Sequence, residues 1–311
     1  MSLMLSGLDG SNPLAFLAAL GTLRILTGAL PDVQVKMSWS RHTGAYRPAV
    51  HTLQALTEDD VVARLDEQLK AMNGHIAFGL GDNLAVASEA YRCYAQTCVD
   101  AARPLQGDRI AADFAAAFAC DALLNEQGTV QDTALRTMSG AGHQHFLRSM
   151  RQIISQTTAE HVRKALFAPW AYDDPVANQT LRWDPSDDSR YALQWRDPSG
   201  DPDRKRRGSM LGANRLAMEG LPLLPCAPVG KHLETTGFVG RGRRDTYWTW
   251  PIWSAPICLA VCRSVLSQAA QKGGNPIGSD WFRAVGIVAG FRCQRITVGK
   301  FRNFAPAVAV F

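Results

Sequence analysis

The strongest constraint on the fold lies in the first thirty residues. Leu14, Phe16, Leu17, Leu20, Leu23 and Leu26 recur at helical spacing and cover an arc wide enough to bury a broad face of the helix. Asn12 stands where an N-cap belongs and Pro13 where the first helical residue belongs. Gly21, inside the run, permits close packing by another element. Before the helix come a short apolar strand, Leu3–Leu5, and a turn-rich stretch, Gly7-Leu8-Asp9-Gly10-Ser11-Asn12-Pro13. A helix entered from such a turn can offer backbone N–H groups to an anion. A strand-to-helix corner in the core is the plainer reading.

Further along, Val33, Val35, Met37 and Trp39 alternate with polar residues as a strand does, with Ala45–Thr52 as its neighbour across a Thr43-Gly44 turn. Pro48 places that neighbour at an edge or a bulge. Thr57 caps a helix through Met72, with Glu58, Asp59 and Asp60 in its first turn. Helices are predicted over Asn83–Ala102, Asp108–Leu124, His143–Ser155 and Ala159–Phe167. From Pro169 onward Pro, Asp, Trp and Gly become frequent. A hairpin is expected with Leu181–Pro185 and Gln194–Pro198 as paired elements, closed by Ser186–Ser189. A short helix over Ala213–Glu219, another around Pro256–Gln271 and two closing strands within Val285–Val310, turning near Gly299, complete the reading. The fold class is therefore α+β. Residues 1–178 form an N-terminal strand-helix unit with a central helical region, and residues 179–311 a β-rich, basic C-terminal part.

Charge separates the two ends. Residues 231–311 carry eleven Lys and Arg against three acids, whereas the first 230 carry 22 against 25. Arg204, Lys205, Arg206 and Arg207 form one basic run in a polar loop, Arg241, Arg243 and Arg244 a second, and Arg292, Arg295, Lys300 and Arg302 a third. Such a distribution attracts polyanions, because basic side chains release the counterions condensed on phosphates. The second and third runs are interleaved with Tyr247, Trp248, Trp250, Trp253, Phe291, Phe301 and Phe304, the flat rings on which bases stack. Each ring taken singly belongs more often to a core.

Chemistry other than binding has little support. No GxGxxG, P-loop, HExxH or GxSxG pattern occurs, so no cofactor is expected. His143 and His145 fall on different sides of a helix, a poor metal pair. Asp173-Asp174 and Asp187-Asp188 are the scattered acids that a metal-dependent nuclease would have to use, although turns explain them better. Seven cysteines without a CxxC pair suit mostly buried thiols in a cytoplasmic protein. No apolar run approaches the roughly 20 residues of a membrane span, and the first residues carry no basic secretory leader.

Three segments share a family character. They are Leu8-Asp9-Gly10-Ser11-Asn12-Pro13-Leu14 with the helix Phe16–Leu26, Gly212-Ala213-Asn214-Arg215-Leu216-Ala217 with Leu221-Pro222-Leu223-Leu224-Pro225, and Arg295 through Phe304. Together with Trp183-Asp184-Pro185 and Thr249-Trp250-Pro251-Ile252-Trp253, they resemble subunits of CRISPR type I-G (formerly I-U) effector complexes, in the large-subunit-like Csb/Csx group. The resemblance implies a non-enzymatic part of an RNA-guided surveillance (Cascade) assembly. Its partners would be guide RNA, target DNA and the other effector subunits. Its tasks would be to recognise the motif beside the target and to help recruit a separate helicase-nuclease. The expected contacts are Arg204, Lys205, Arg206, Arg207, Arg241, Arg243, Arg244, Arg292, Arg295, Lys300 and Arg302, with Asn214 and Arg215 as weaker candidates. The alternatives are the metal-dependent nuclease and a protein-only scaffold docking through the N-terminal helix and the Trp-rich stretch.

Overall fold

The structure is a computed structural model that describes residues 1–104, 107–138, 145–174, 180–187, 208–240, 245–270, 279–298 and 301–310. The fold is α+β. Strand β1 (Ser2–Met4) leads through the turn-rich stretch into helix α1 (Pro13–Ala29). Asn12 caps α1 as its position suggests, its side-chain oxygen accepting from Leu14 N (2.9 Å) and Ala15 N (3.2 Å). The cap satisfies N–H groups that an anion would otherwise take, which makes the turn a buried corner.

Strands β2 (Lys36–His42) and β3 (Ala45–His51) form the expected hairpin, with Thr43 and Gly44 both at positive φ in the two-residue turn. The sheet order is β1-β3-β2-β10, where β10 is Ile257–Cys258. Strand β3 is thus internal, not the edge that Pro48 suggested. Pro48 is tolerated because its polar side faces Leu5 just past β1: its carbonyl accepts from Leu5 N (2.8 Å), and the Leu5 carbonyl that an N–H would meet accepts instead from Leu8 N (3.1 Å). Helix α2 (Glu58–Ala71) begins at a capping box, with Thr57 Oγ1 accepting from Asp60 N while the Asp60 carboxylate accepts from Thr57 N (2.9 Å).

The central region is less uniformly helical than its alanine content predicts. Helix α3 (Ser88–Ala102) starts five residues later than expected, because Val86 and Ala87 pair with Val130 and Thr129. Helix α4 (Arg109–Phe118) stops six residues early, and Ala119–Leu124 is strand β4, paired with β5 (Val130–Asp132). Here cross-strand pairing outweighs helix propensity. Helices α5 (Phe146–Gln156) and α6 (Ala159–Phe167) follow.

Helix α7 (Leu211–Gly220) is buried along its whole length against α1 and α6. Gly21 of α1 makes that packing possible, since a Cβ there would strike the Leu216 carbonyl. A 3-10 turn, Leu221–Leu223, continues directly from α7 through Pro222. Then come the small hairpin β6 (Cys226–Val229) and β7 (His232–Thr235), and strands β8 (Phe238–Val239) and β9 (Tyr247–Trp253). Helix α8 (Leu259–Ala270) follows β10. The tail supplies β11 (Ile287–Val298), β12 (Phe301–Phe304) and β13 (Val308–Ala309).

The texture change near residue 178 does not divide the core. One hydrophobic cluster includes Phe16, Trp39 and Phe114 together with Trp183, Leu216, Trp250 and Cys293. Strand β10 completes the first sheet, and Phe16 packs against Trp248, Trp250 and Trp253 at 5.7–6.3 Å between ring centroids. The hairpin expected within 181–198 lies largely outside the described residues. The part that is described, Thr180–Asp187, is a hydrogen-bonded turn. No helix among the described residues is long and apolar enough to cross a membrane.

Candidate nucleic-acid interface

Strands β11 and β12 carry the part of the three basic runs that the structure describes. Strand β11 pairs antiparallel with β9 on one side and with β12 and β13 on the other. Because side chains alternate along a strand, its register assigns each residue to a face. Phe291, Cys293 and Arg295 share the inward face with Trp248, Trp250 and Phe304, while Arg292 and Gln294 share the outward face with Thr249, Tyr247 and Asn303.

This alternation revises the aromatic half of the sequence argument. Trp248, Trp250, Trp253 and Phe304 are at most 1% exposed. Trp250 Nε1 donates to the Gly10 carbonyl and Trp253 Nε1 to the Met37 carbonyl, both at 2.8 Å. They are core rings, closed to stacking bases. The scaffold reading loses its docking surfaces for the same reason, since α1 and the Trp-rich strand bury each other. Tyr247, half-buried on the outward face, is the aromatic that remains beside Arg292.

The described arginines divide between the faces. Arg292 donates from Nε to Thr249 Oγ1 (2.9 Å) on the outward face. Arg295 points inward and donates to the Ala134 carbonyl (2.9 Å), and its buried Nε has no partner. Arg302, opposite Thr297 on the same inward face, donates to the Arg136 carbonyl (3.2 Å). Arg136 is itself held by Asp132, with Nε to Oδ1 at 2.8 Å and a second nitrogen to Oδ2 at 2.7 Å. Burial first, and then repulsion from Arg302 and Arg136, push the Arg295 guanidinium down to a pKa of about 10, against the opposing pull of Asp132 and Asp245. Three guanidiniums are therefore gathered over the segment 132–138 at one end of the sheet.

Arg204, Lys205, Arg206, Arg207, Arg241, Arg243, Arg244 and Lys300 lie outside the described residues. The residues that flank two of these runs are described. Gly240 at positive φ abuts Asp245, and Arg295 N donates to the Thr246 carbonyl (2.8 Å). Val298 pairs with Phe301 across 299–300. Chain entry and exit for both runs thus sit at the arginine-rich end of the sheet. Sequence reasoning missed Arg136, which lies in no charge run. The Asp132-to-Arg136 spacing is the signal that could have found it, a four-residue ion pair formed here outside any helix.

The weaker candidates are structural. Asn214 Oδ1 accepts from Leu181 N (2.9 Å), and its amide donates to the Met210 carbonyl (3.0 Å). Arg215, fully buried, donates to Glu219 (2.6 Å) and to the Leu69 carbonyl (3.2 Å), while Arg24 donates to the same Glu219 (2.8 Å). Burial alone would raise the Glu219 carboxyl, but Arg215 and Arg24 outweigh it and hold the group below the usual carboxylate range. The acids proposed for a nuclease are likewise engaged. Asp174 accepts from Leu211 N (2.7 Å), Asp173 pairs with Lys164 (3.4 Å) and Asp187 accepts from Thr180 Oγ1 (2.7 Å). Asp188 lies outside the described residues, as does His143, and His145 is the N-cap residue of α5. Among the described residues no three His, Cys, Asp or Glu side chains gather as a metal site. All seven cysteines are free, and burial pushes the Cys226 and Cys262 thiols up to about 12.

Parts of the segments that carry the resemblance lie near the start of α1. Asn12 donates to Asp184 (3.3 Å), Asn214 binds Leu181, Trp183 Nε1 donates to the Leu135 carbonyl (2.9 Å) and Trp250 binds Gly10. These residues hold the core together around the start of α1. No protein-family model matches the sequence, and no curated protein compared with it matches significantly.

Proposed function

We propose that this chain is a non-catalytic, nucleic-acid-binding subunit of a CRISPR type I RNA-guided surveillance complex. In this reading it contacts target DNA, takes part in recognising the motif beside the target and helps recruit a helicase-nuclease in trans. The observation that carries the binding function is the gathering of Arg136, Arg295 and Arg302 at the end of the C-terminal sheet, beside the flanks of 241–244 and 299–300. A phosphate arriving there would relieve the mutual repulsion of these guanidiniums. On the opposite, outward face of the sheet, Arg292 and Tyr247 offer a second cation and a ring. The assignment to the complex rests on the sequence resemblance.

The test is binding of a labelled DNA duplex and of single-stranded RNA, followed by anisotropy across a salt series. R292A/R302A, and the triple change R241A/R243A/R244A, are expected to weaken binding and to lower the salt slope by roughly 0.7–0.9 for each phosphate no longer engaged. Unchanged affinity and slope in both variants would refute the interface. Co-expression with type I effector subunits and a guide RNA tests the assembly, and failure of the chain to co-purify with the guide-containing particle would refute membership. The isolated chain is expected to cut neither DNA nor RNA with Mg²⁺ or Mn²⁺.

A further inference from the structure

The N-terminal sheet has a second face that the sequence argument did not use. Met37, Trp39 and Val50 point inward to the core, where Trp39 meets Phe16 (5.7 Å) and Trp253 (6.1 Å). The alternate residues, Lys36, Ser38, Ser40 and His42 of β2 with Arg47 and His51 of β3, therefore point away from the C-terminal sheet. The four strands of this sheet contain no Asp or Glu. Both imidazoles are held by neighbouring hydroxyls, His51 Nε2 with Ser38 Oγ at 2.8 Å and His42 Nε2 with Ser40 Oγ at 3.1 Å. The N-terminal ammonium donates to the Thr52 carbonyl (2.8 Å), next to His51. Apart from burial, the influences on His51 are that ammonium and Lys36, both cationic and both lowering its pKa. Ser40 and His42 are exposed at the hairpin end, and Lys36 is half-exposed at the other.

We infer that this outward face is a separate phosphodiester-binding surface for a single-stranded nucleic acid. Alternate residues of a strand are about 7 Å apart, a step close to that between successive phosphates of an extended single strand. Lys36 at one end and His42 at the other bracket the row, and the exposed Ser40 hydroxyl lies beside His42, while Ser38 is buried against His51 and Arg47 donates to the Leu8 carbonyl (2.8 Å). Cations with hydroxyls, and no carboxylate in the strands to compete, favour phosphate over an acidic peptide, whose carboxylates suit bidentate arginine pairs better. The inference takes its ligand class from the function proposed above, but it uses none of the same residues.

The experiment measures anisotropy of a labelled oligo(U) of about 15 nucleotides with the full chain, K36A/H42A, His42→Glu and R292A/R302A. K36A/H42A is expected to bind about five- to tenfold more weakly, with a salt slope lower by about one. His42→Glu alone should weaken binding at least as much, since it places an acid at the exposed end of the row. Both changes are at the surface, and unchanged thermal melting verifies the fold. If K36A/H42A and His42→Glu bind as the unmodified chain does while R292A/R302A binds more weakly, this surface is refuted and the C-terminal interface stands. If the unmodified chain binds neither oligo(U) nor duplex, both readings fall.

Discussion

Two clusters of buried arginine invite comparison. At the seam between α1 and α7, Arg24 and Arg215 converge on one carboxylate, Glu219, and Arg24 also lies over the Phe114 ring at 5.5 Å. At the end of the C-terminal sheet, Arg136 has its carboxylate in Asp132, but the hydrogen bond of Arg295 goes to a backbone carbonyl. In the first cluster both guanidiniums bond to a carboxylate, which stays charged, although one buried nitrogen of Arg24 is left without a partner. In the second, burial above all, with Arg302 and Arg136 nearby, lowers the Arg295 pKa although Asp132 and Asp245 oppose the shift. Charge counted along a sequence does not distinguish these cases. What matters is whether the fold has already bound the cation to an acid.

The largest test of that contrast is at the seam. Gly21→Ala drives a methyl group into the Leu216 carbonyl, so soluble, folded protein should be lost, as measured by yield and circular dichroism. Glu219→Gln leaves two buried guanidiniums without a counter-charge and should cost about 3–5 kcal/mol in urea unfolding. Replacing the whole cluster, R24M/R215M/E219L, should cost far less than Glu219→Gln alone, because no charge is then stranded. Arg295→Met should be milder than Glu219→Gln, at about 1–3 kcal/mol for the unsatisfied Ala134 carbonyl. A cost as large as that of Glu219→Gln would erase the distinction between the clusters. Acid supplies a smaller effect. The Glu219 carboxyl is lowered in the folded chain, so its contribution to stability is present above the ordinary carboxylate pKa and is lost as pH falls through the lowered one. Glu219→Gln should remove that part of the acid-unfolding profile. Smallest of all, tripolyphosphate should raise the melting temperature slightly in the unmodified chain and less in Arg302→Ala.

Local signals were legible in the sequence. Asn12 and Pro13 mark the start of α1, Thr57 with Asp60 marks α2, and the Thr43-Gly44 turn sets a hairpin, because each acts within a few residues of itself. Alternation in the tail marks β11 and its turn to β12. Where sequence and structure differ, the cause is pairing made at long range. Ala119–Leu124 is a strand because Val130–Asp132 lies beside it, and Pro48 sits inside a sheet because the Leu5 carbonyl opposite its missing N–H turns to Leu8 N instead. The Trp residues of β9 are interleaved with Thr249 and Tyr247, and the sequence alone does not say which of the two alternating sets faces the core. In the candidate interface, composition points to Arg292, Arg295 and Arg302 but not to Arg136, which stands outside every basic run. The polar half of β2 carries no charge run either, so periodicity marks it as a strand and says nothing of its outward face.

The placement of α7 and β10 has a consequence for biosynthesis. Helix α1 leaves the ribosome some two hundred residues ahead of the surfaces that cover it, Leu211–Gly220 and Tyr247–Trp253. Until then a nascent chain carries an uncovered leucine-rich helix, and the first sheet lacks its last strand. The N-terminal half has no finished core of its own to fold into, so maturation is governed by slow, distant contacts, and premature termination before residue 211 yields a product with exposed apolar surface.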